Sequence, residues 1–313
     1  MFLMSASPDV VQTMDARYTF TPDPSFPVMP AGMVLGETPG VGINARDEVV
    51  IVNRAAVPVQ VYSTSGEFIA AWPYDEFTRV HSLTVMPDGH MFVSDDLRHV
   101  VQEFDADGNH VRTFGTPGVP SETGRNVEPL GVVKHEGPPF NQPTDAAIGL
   151  DGTLYMTDGY GNARVHRFSR DGELIQSWGT PGSGPGEFNL PHGVRVDNEG
   201  RVLVADRENN RIQVFSPDGE YLFSHEDVRR PCGLLVDASG AIFVAELGES
   251  HGRISIFSAE GDLLSRWPIE GDVARAGAHS VALDRDGNLY VGMVYLGETP
   301  PAGSHPLLKF LRG

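Results

Sequence analysis

Apolar and polar residues alternate with period two in short runs along most of the chain, and the runs come in pairs around Asp-Gly-like turns. The segments His81 to Asp95, Thr144 to Asp158 and His192 to Asp206 share one form, with apolar alternation on both sides of a turn and an aspartate at the end. Two further copies begin at Cys232 and His279, and a weaker first copy spans Gly42 to Arg54. Such a pattern describes two half-buried strands joined by a tight hairpin. A second hairpin follows in the same unit, clearest in Val165 to Trp178, Ile212 to Phe223 and Ile254 to Trp267, with Gly172, Gly219 and Gly261 at the turns. Four strands per unit is the content of one propeller blade.

The units fall at about residues 36–74, 79–116, 143–180, 190–225, 230–268 and 277–311. The spacing therefore predicts an all-β, six-bladed β-propeller with four antiparallel strands per blade, forming a single domain over residues 1–313. The last unit lacks a fourth strand after Lys309, whereas residues 17–21 form an orphan β-prone segment. Tyr18 to Phe20 is predicted to pair with the last blade and close the ring, which removes free sheet edges. Residues 119–142, rich in Pro and Gly and without a strand pattern, form a long connection of the kind that serves as a functional loop; a lid over the channel and a plain surface excursion are both open.

Composition narrows the partners. A net charge of −19 with no basic cluster disfavours nucleic acid and anionic membranes. Cys232 is the sole cysteine, so no intrachain disulfide can form, which fits a reducing compartment. The first residues lack the apolar core of a signal peptide, and no run approaches the length of a membrane helix. A soluble cytoplasmic protein is expected.

In a propeller the first strand of each blade lines the central channel, so equivalent residues form a ring around the axis. Aligning the copies gives Gly42, His81, Thr144, His192, Cys232 and His279. The three histidines stand on blades two, four and six, where their imidazoles can converge. Three neutral imidazoles suit zinc or a similar divalent ion and leave a coordination position open, as a catalytic site requires. The remaining histidines, among them His90, His99, His110, His166 and His305, read as surface residues. After the position of the motif's aspartate stand Arg54 in blade one, in Val52-Asn-Arg54, and Arg207 in blade four, in Ala205-Asp-Arg207, with Tyr160 nearby in blade three. Two guanidiniums across the ring suit a substrate carboxylate. A tyrosine beside cations and a metal has the surroundings of a base, because they stabilise its phenolate. Arg164 and Arg211 read as braces within their blades.

These residues carry a resemblance. The repeats are similar to NHL repeats, with which they share the Asn-Arg-Ile turn, and the chain resembles the peptidylamidoglycolate lyase family in the segments Asn141-Gln-Pro-Thr-Asp145, Thr157-Asp-Gly-Tyr-Gly-Asn-Ala-Arg164, Trp178-Gly, Pro191-His192 and Ala205-Asp-Arg-Glu-Asn-Asn-Arg-Ile-Gln213. The resemblance implies a zinc held by His81, His192 and His279, a tyrosine base at Tyr160 and two active-site arginines at Arg54 and Arg207. It also implies cleavage of a carbinolamide, R-CO-NH-CH(OH)-COOH, to an amide and glyoxylate, the substrate being peptide-like or a small carboxylate-bearing metabolite. Two departures stand out. Gly161 occupies the place of a half-cystine beside the family's tyrosine, and Ser280 replaces an aspartate that helps hold a structural calcium, which speaks against calcium here. The alternatives are a metal-dependent lactonase or other hydrolase on the same propeller, and a non-catalytic NHL ligand-binding module.

Overall fold

The computed structural model describes residues 12–13, 15–72, 74–125, 132–248, 251–269, 276–295 and 306–313. Six antiparallel sheets stand around a central channel, built from chain-consecutive strands running outward from the axis except where N-terminal strands are added to blades five and six. Blade one comprises Gly40–Ile43, Val49–Val52, Val59–Tyr62 and Phe68–Trp72. Blades two to five begin at the axis with Val80–Val85, Pro143–Ile148, Pro191–Val196 and Pro231–Val236. Blade six contains Ala276–Leu283, Leu289–Tyr295 and Leu307–Arg312, with Phe20–Pro22 paired antiparallel to the last of these. The innermost strands of blades six and one pack together, so the ring is closed.

Closure by an N-terminal strand is as expected, with one adjustment. The pairing residues are Phe20, Thr21 and Pro22, whereas Ala16–Tyr18 forms a 3-10 turn that drives Tyr18 into the seam between blades five and six. Its ring meets Phe243 edge-on at 5.8 Å, and its hydroxyl reaches Asp237 and Ser239. The short 3-10 turn is favoured here because Asp15 accepts the Arg17 amide and caps it. Gln12–Thr13 adds a further strand to the outer edge of blade five.

The stabilising apolar burial is distributed rather than central. Each of the six seams between successive blades holds its own cluster, for example Val52, Val61, Leu83, Val93 and Phe104 between blades one and two, and Val41, Ile51, Tyr62 and Tyr290 between six and one. This explains why second strands such as Met91–Asp95 and Leu154–Asp158 are buried along their whole length: both faces of each sheet are covered by neighbours. Outer strands such as Leu174–Trp178 and Tyr221–His225 face solvent. No helix among the described residues is long and apolar enough to cross a membrane.

Candidate metal centre and active site

The repeat places one residue of each inner strand where the ladder skips. His81 lies between the pairs Val80–Asp95 and Ser82–Ser94, Thr144 between Pro143–Asp158 and Asp145–Thr157, and Cys232 between Pro231–Glu246 and Gly233–Ala245. His192 and His279 fall in the same irregularity. A bulge re-aims its extra residue, and here it brings the three imidazoles together. The three imidazole centroids lie 4.7 to 4.8 Å apart, and their ligand atoms fall within 4.8 Å of one another. Among the described residues this is the one group of three His, Cys, Asp or Glu side chains arranged to hold an ion.

The expected ring needs one correction. Blade one contributes Pro39, not Gly42: the turn bond from Asn44 N to Glu48 O matches that from Met86 N to His90 O, and Pro39 precedes Asn44 as His81 precedes Met86. Gly42 instead lies in the seam, where a Cβ would come within 2.5 Å of Val85 Cγ2. The weak first copy has Asp47 with positive φ in place of the usual turn glycine, which hid its register.

With Pro39 in place the ring alternates histidine and carbonyl. His81 Nδ1 lies 2.7 Å from Thr144 O, His192 Nδ1 3.1 Å from Cys232 O, and His279 Nδ1 2.8 Å from Pro39 O. A carbonyl only accepts, so each Nδ1 carries the proton and each Nε2 presents a lone pair. All three side chains are buried. Burial pushes His279 down to about 3 against the pull of the Pro39 carbonyl, with Arg54, Arg207 and Arg79 adding to the depression. Burial likewise holds His81 and His192 well below the ordinary imidazole value, assisted by the other imidazoles of the triad. Three neutral, oriented imidazoles are the donor set of a divalent ion with an open position.

Tyr160 reaches over this triad. Its hydroxyl is 3.1 Å from His81 Nε2 and 3.4 Å from His192 Nε2, and it accepts a hydrogen bond from Arg207 Nη1 at 3.2 Å. The turn can press this close because glycines flank it: a Cβ on Gly159 would lie 2.0 Å from Pro191 O, and one on Gly161 2.1 Å from Asn141 Oδ1. Instead of a disulfide, Gly161 N donates to Asn141 O and Gly161 O accepts from Thr123 Oγ1 at 2.6 Å. The described parts of the 119–142 connection thus brace the tyrosine turn; residues 126–131 of that expected loop lie outside the described residues.

Arg207 is buried, with Nε on Glu208 and its guanidinium 5.3 Å from the Tyr160 ring centroid. Burial works against its charge, but Tyr160 and Glu208 outweigh that and hold its pKa above the usual arginine value. Glu208 also accepts from Arg230 at 2.9 Å. Arg54, across the ring, donates to Val80 O at 3.1 Å and to Glu37 at 2.5 Å. The six expected site residues are therefore gathered around the triad, Arg207 against Tyr160 and Arg54 near His81 and His279.

Sequence reasoning missed Arg79, whose guanidinium lies 5.9 Å from the Tyr160 centroid, and the acids Glu37 and Glu208 that hold the arginines. Arg79 stands two residues before His81, a proximity that could have flagged it. The surface reading of His166 is wrong: it is fully buried, bonded to Ser177 and against Asp158 in a seam between blades, because its strand alternation points it inward. His110 is exposed and His90 half-buried on Glu103, while His305 lies outside the described residues. Cys232 offers its carbonyl rather than its sulfur, burial pushing the thiol up to about 11. Ser280 brings a neutral hydroxyl, buried and without a hydrogen-bond partner among the described residues, to the position after His279. Arg211 does brace its blade, reaching Asp206 and three loop carbonyls.

Two clefts open beside Tyr160 and Arg54. One of about 640 Å³ runs from Tyr160 and Glu208 past Phe188 and Leu190 to Val132, Val133 and Lys134. A smaller one of about 270 Å³ lies between Arg54 and Arg79, floored by Pro58, Tyr74 and Phe77.

Comparison with known proteins places the chain among relatives. Residues 188–215 match the NHL repeat family model. The chain is 32% identical over 230 residues to peptidyl-glycine alpha-amidating monooxygenase B of Xenopus laevis, covering 68% of this chain and 25% of that protein. It is 33% identical over 173 residues to NHL repeat-containing protein 3 of Homo sapiens, covering 52% of this chain and 47% of that one. A probable peptidyl-alpha-hydroxyglycine alpha-amidating lyase of Caenorhabditis elegans is 27% identical over 265 residues, covering 80% of this chain and 70% of the relative. The chain thus spans between a quarter and half the length of the first two relatives. In fold it is similar to a streptogramin B lyase, with TM-score 0.63 at 12% identity over 96% of this chain and 100% of that structure.

Proposed function

Because this chain is a six-bladed NHL-repeat propeller related in sequence to the peptidyl-alpha-hydroxyglycine alpha-amidating lyases, we propose that it is a carbon–nitrogen lyase cleaving an α-hydroxyglycine-type carbinolamide to an amide and glyoxylate. The observation that carries the reading is one phenol within hydrogen-bond reach of two imidazole Nε2 atoms and one buried guanidinium.

Nε2 of His81, His192 and His279 would hold a divalent ion, zinc foremost, which supplies Lewis acidity beside Tyr160 when bound. The chain's own groups account for the proton and the charge. Tyr160, as phenolate next to Arg207, removes the proton of the substrate hydroxyl. The O–H electrons form the carbonyl of glyoxylate as the C–N bond breaks. The departing nitrogen takes the C–N pair and receives the proton back from Tyr160, so the reaction is a net transfer from oxygen to nitrogen. Arg54 and Arg207 hold the substrate carboxylate from opposite sides of the ring, and Arg207 stabilises the phenolate between steps. The acyl part of the leaving amide has the cleft of about 640 Å³ that begins at Tyr160.

The test pairs metal analysis of purified protein with glyoxylate release from N-acyl-α-hydroxyglycines. Metal near one per chain with stoichiometric glyoxylate supports the reading, and Tyr160→Phe should cost about 10²- to 10⁴-fold in kcat while keeping the metal. Metal without glyoxylate would retain the centre and discard the lyase.

A further inference from the structure

The residue after the polar position that closes the second strand, Asn53 in blade one, Asp95 in blade two and Asp206 in blade four, is an arginine in blades one and four, Arg54 and Arg207. In blade two that position is Asp96, which is fully buried. A carboxylate so placed, beside a centre that otherwise gathers guanidiniums, requires a partner. The partner is Arg79: its Nε donates to Asp96 Oδ1 at 2.8 Å and its Nη2 to Asp96 Oδ2, a bidentate pair. Blade two therefore delivers a guanidinium to the same mouth as blades one and four, by relay from the strand entrance rather than from the symmetric position.

That guanidinium lies against Tyr160. Arg79 comes from blade two and Arg207 from blade four, the two neighbours of blade three, and their guanidinium carbons stand 5.9 and 5.3 Å from the Tyr160 ring centroid. Both fall within the range of a cation–π contact, which strengthens where the groups are partly desolvated. Asp96 fixes the plane of Arg79 through two bonds, and the Arg79 amide is itself held by Asp95 Oδ1 at 3.0 Å. Burial opposes the charge of Arg79, yet Asp96 and Tyr160 hold its pKa above the ordinary arginine value.

We propose that Arg79, locked by Asp96, is a positioning residue that clamps the Tyr160 ring between two guanidiniums and so fixes its hydroxyl over the histidine triad. Arg207 touches the reacting hydroxyl; Arg79 acts only through the ring. The role rests on the lyase reading, in which Tyr160 moves the proton.

The test uses the full metal-loaded chain with Arg79→Leu, Arg79→Lys and Asp96→Asn, each also made in a Tyr160→Phe background, with folding followed by thermal denaturation. Arg79→Leu is expected to lower kcat for glyoxylate release about 10-fold or more with KM changed less than about twofold, and to cost nothing further once Tyr160 is phenylalanine. Arg79→Lys should restore part of the loss, and Asp96→Asn should fall on the same side. In parallel, protein labelled with 3-fluorotyrosine, its Tyr160 signal identified by Tyr160→Phe, should show that one fluorine resonance shift or broaden in Arg79→Leu while the other tyrosines stay in place. Losses that multiply in the double variant, a rise in KM at constant kcat, or an unmoved Tyr160 resonance would overturn the clamp. Wild-type protein that releases no glyoxylate would instead sink the lyase reading, and the fluorine spectrum would still decide whether Arg79 holds the ring.

Discussion

His279 Nδ1 lies 2.8 Å from the carbonyl oxygen of Pro39, across the seam where the last blade meets the first. The bond joins ring closure to chemistry: the same contact that marks the circle as complete also fixes which nitrogen of His279 carries the proton. Thr144 and Cys232 do the same for His81 and His192, so three backbone carbonyls from the odd blades set the tautomers of three side chains from the even ones. No side-chain chemistry is needed at positions 39, 144 and 232 for this, which is why a proline, a threonine and a cysteine can share it.

Removing one ligand should empty the centre. His192→Ala is expected to bring bound metal well below one per chain with glyoxylate release abolished, whereas Tyr160→Phe keeps the metal and loses only turnover. Elemental analysis of the two variants side by side checks this, and equal metal contents would contradict the triad.

Protonation of the triad should set an acid limit on the metal-free protein. The unfolded imidazoles titrate near 6.5, while His279 is held at about 3 and His81 and His192 also below their usual value. As pH falls the unfolded chain therefore binds protons first, so stability is full above about 6.5 and is lost on the way down toward about 3. In the presence of chelator, Tm should drop between pH 7 and pH 4, and it should drop less in a variant with all three histidines changed to glutamine. Parallel curves would show that the imidazoles do not carry the effect.

The Tyr160 turn should be intolerant of side chains at Gly161. A Cβ there meets both Oδ1 and the backbone oxygen of Asn141, at 2.1 and 2.5 Å. Gly161→Ala is expected to destabilise by about 1 to 3 kcal/mol and to lower kcat by displacing Tyr160. Denaturant unfolding and steady-state kinetics measure the two effects, and an alanine variant with wild-type kcat would show that the turn adapts.

Ring closure should depend on Tyr18 more than on the residues that pair. It is buried between blades five and six against Phe243, so Tyr18→Ala should cost about 3 to 5 kcal/mol, the scale of a large aromatic deletion in a core. Thr21→Ala, exposed in the paired strand, should cost far less. Chemical denaturation of both variants provides the comparison.

Cys232 should be inert in the folded protein. Its thiol is buried and pushed up to about 11, so alkylating reagents are expected to modify it only on unfolding. Rapid native modification at neutral pH would place the sulfur at the surface.

The sequence alone carried the blade count, the strand pairs and the alternate-blade histidines, because each rests on local signals: period-two alternation, turn residues and a repeat that can be counted. It also carried Arg54, Arg207 and Tyr160, since they stand just beyond the repeat's strand-ending polar position, Asn53, Asp206 and Asp158. The tertiary structure alone decided what is not local. Pro39 entered the ring through the turn register of a weak repeat. His166 is buried because the blades on either side cover both faces of its sheet, so that neither side of the strand alternation meets solvent. The Arg79–Asp96 pair and the carbonyls behind each imidazole formed between residues that no motif connects. Those contacts depend on how adjacent blades twist and pack against one another, and the distances they set are fixed only when the sixth blade closes on the first.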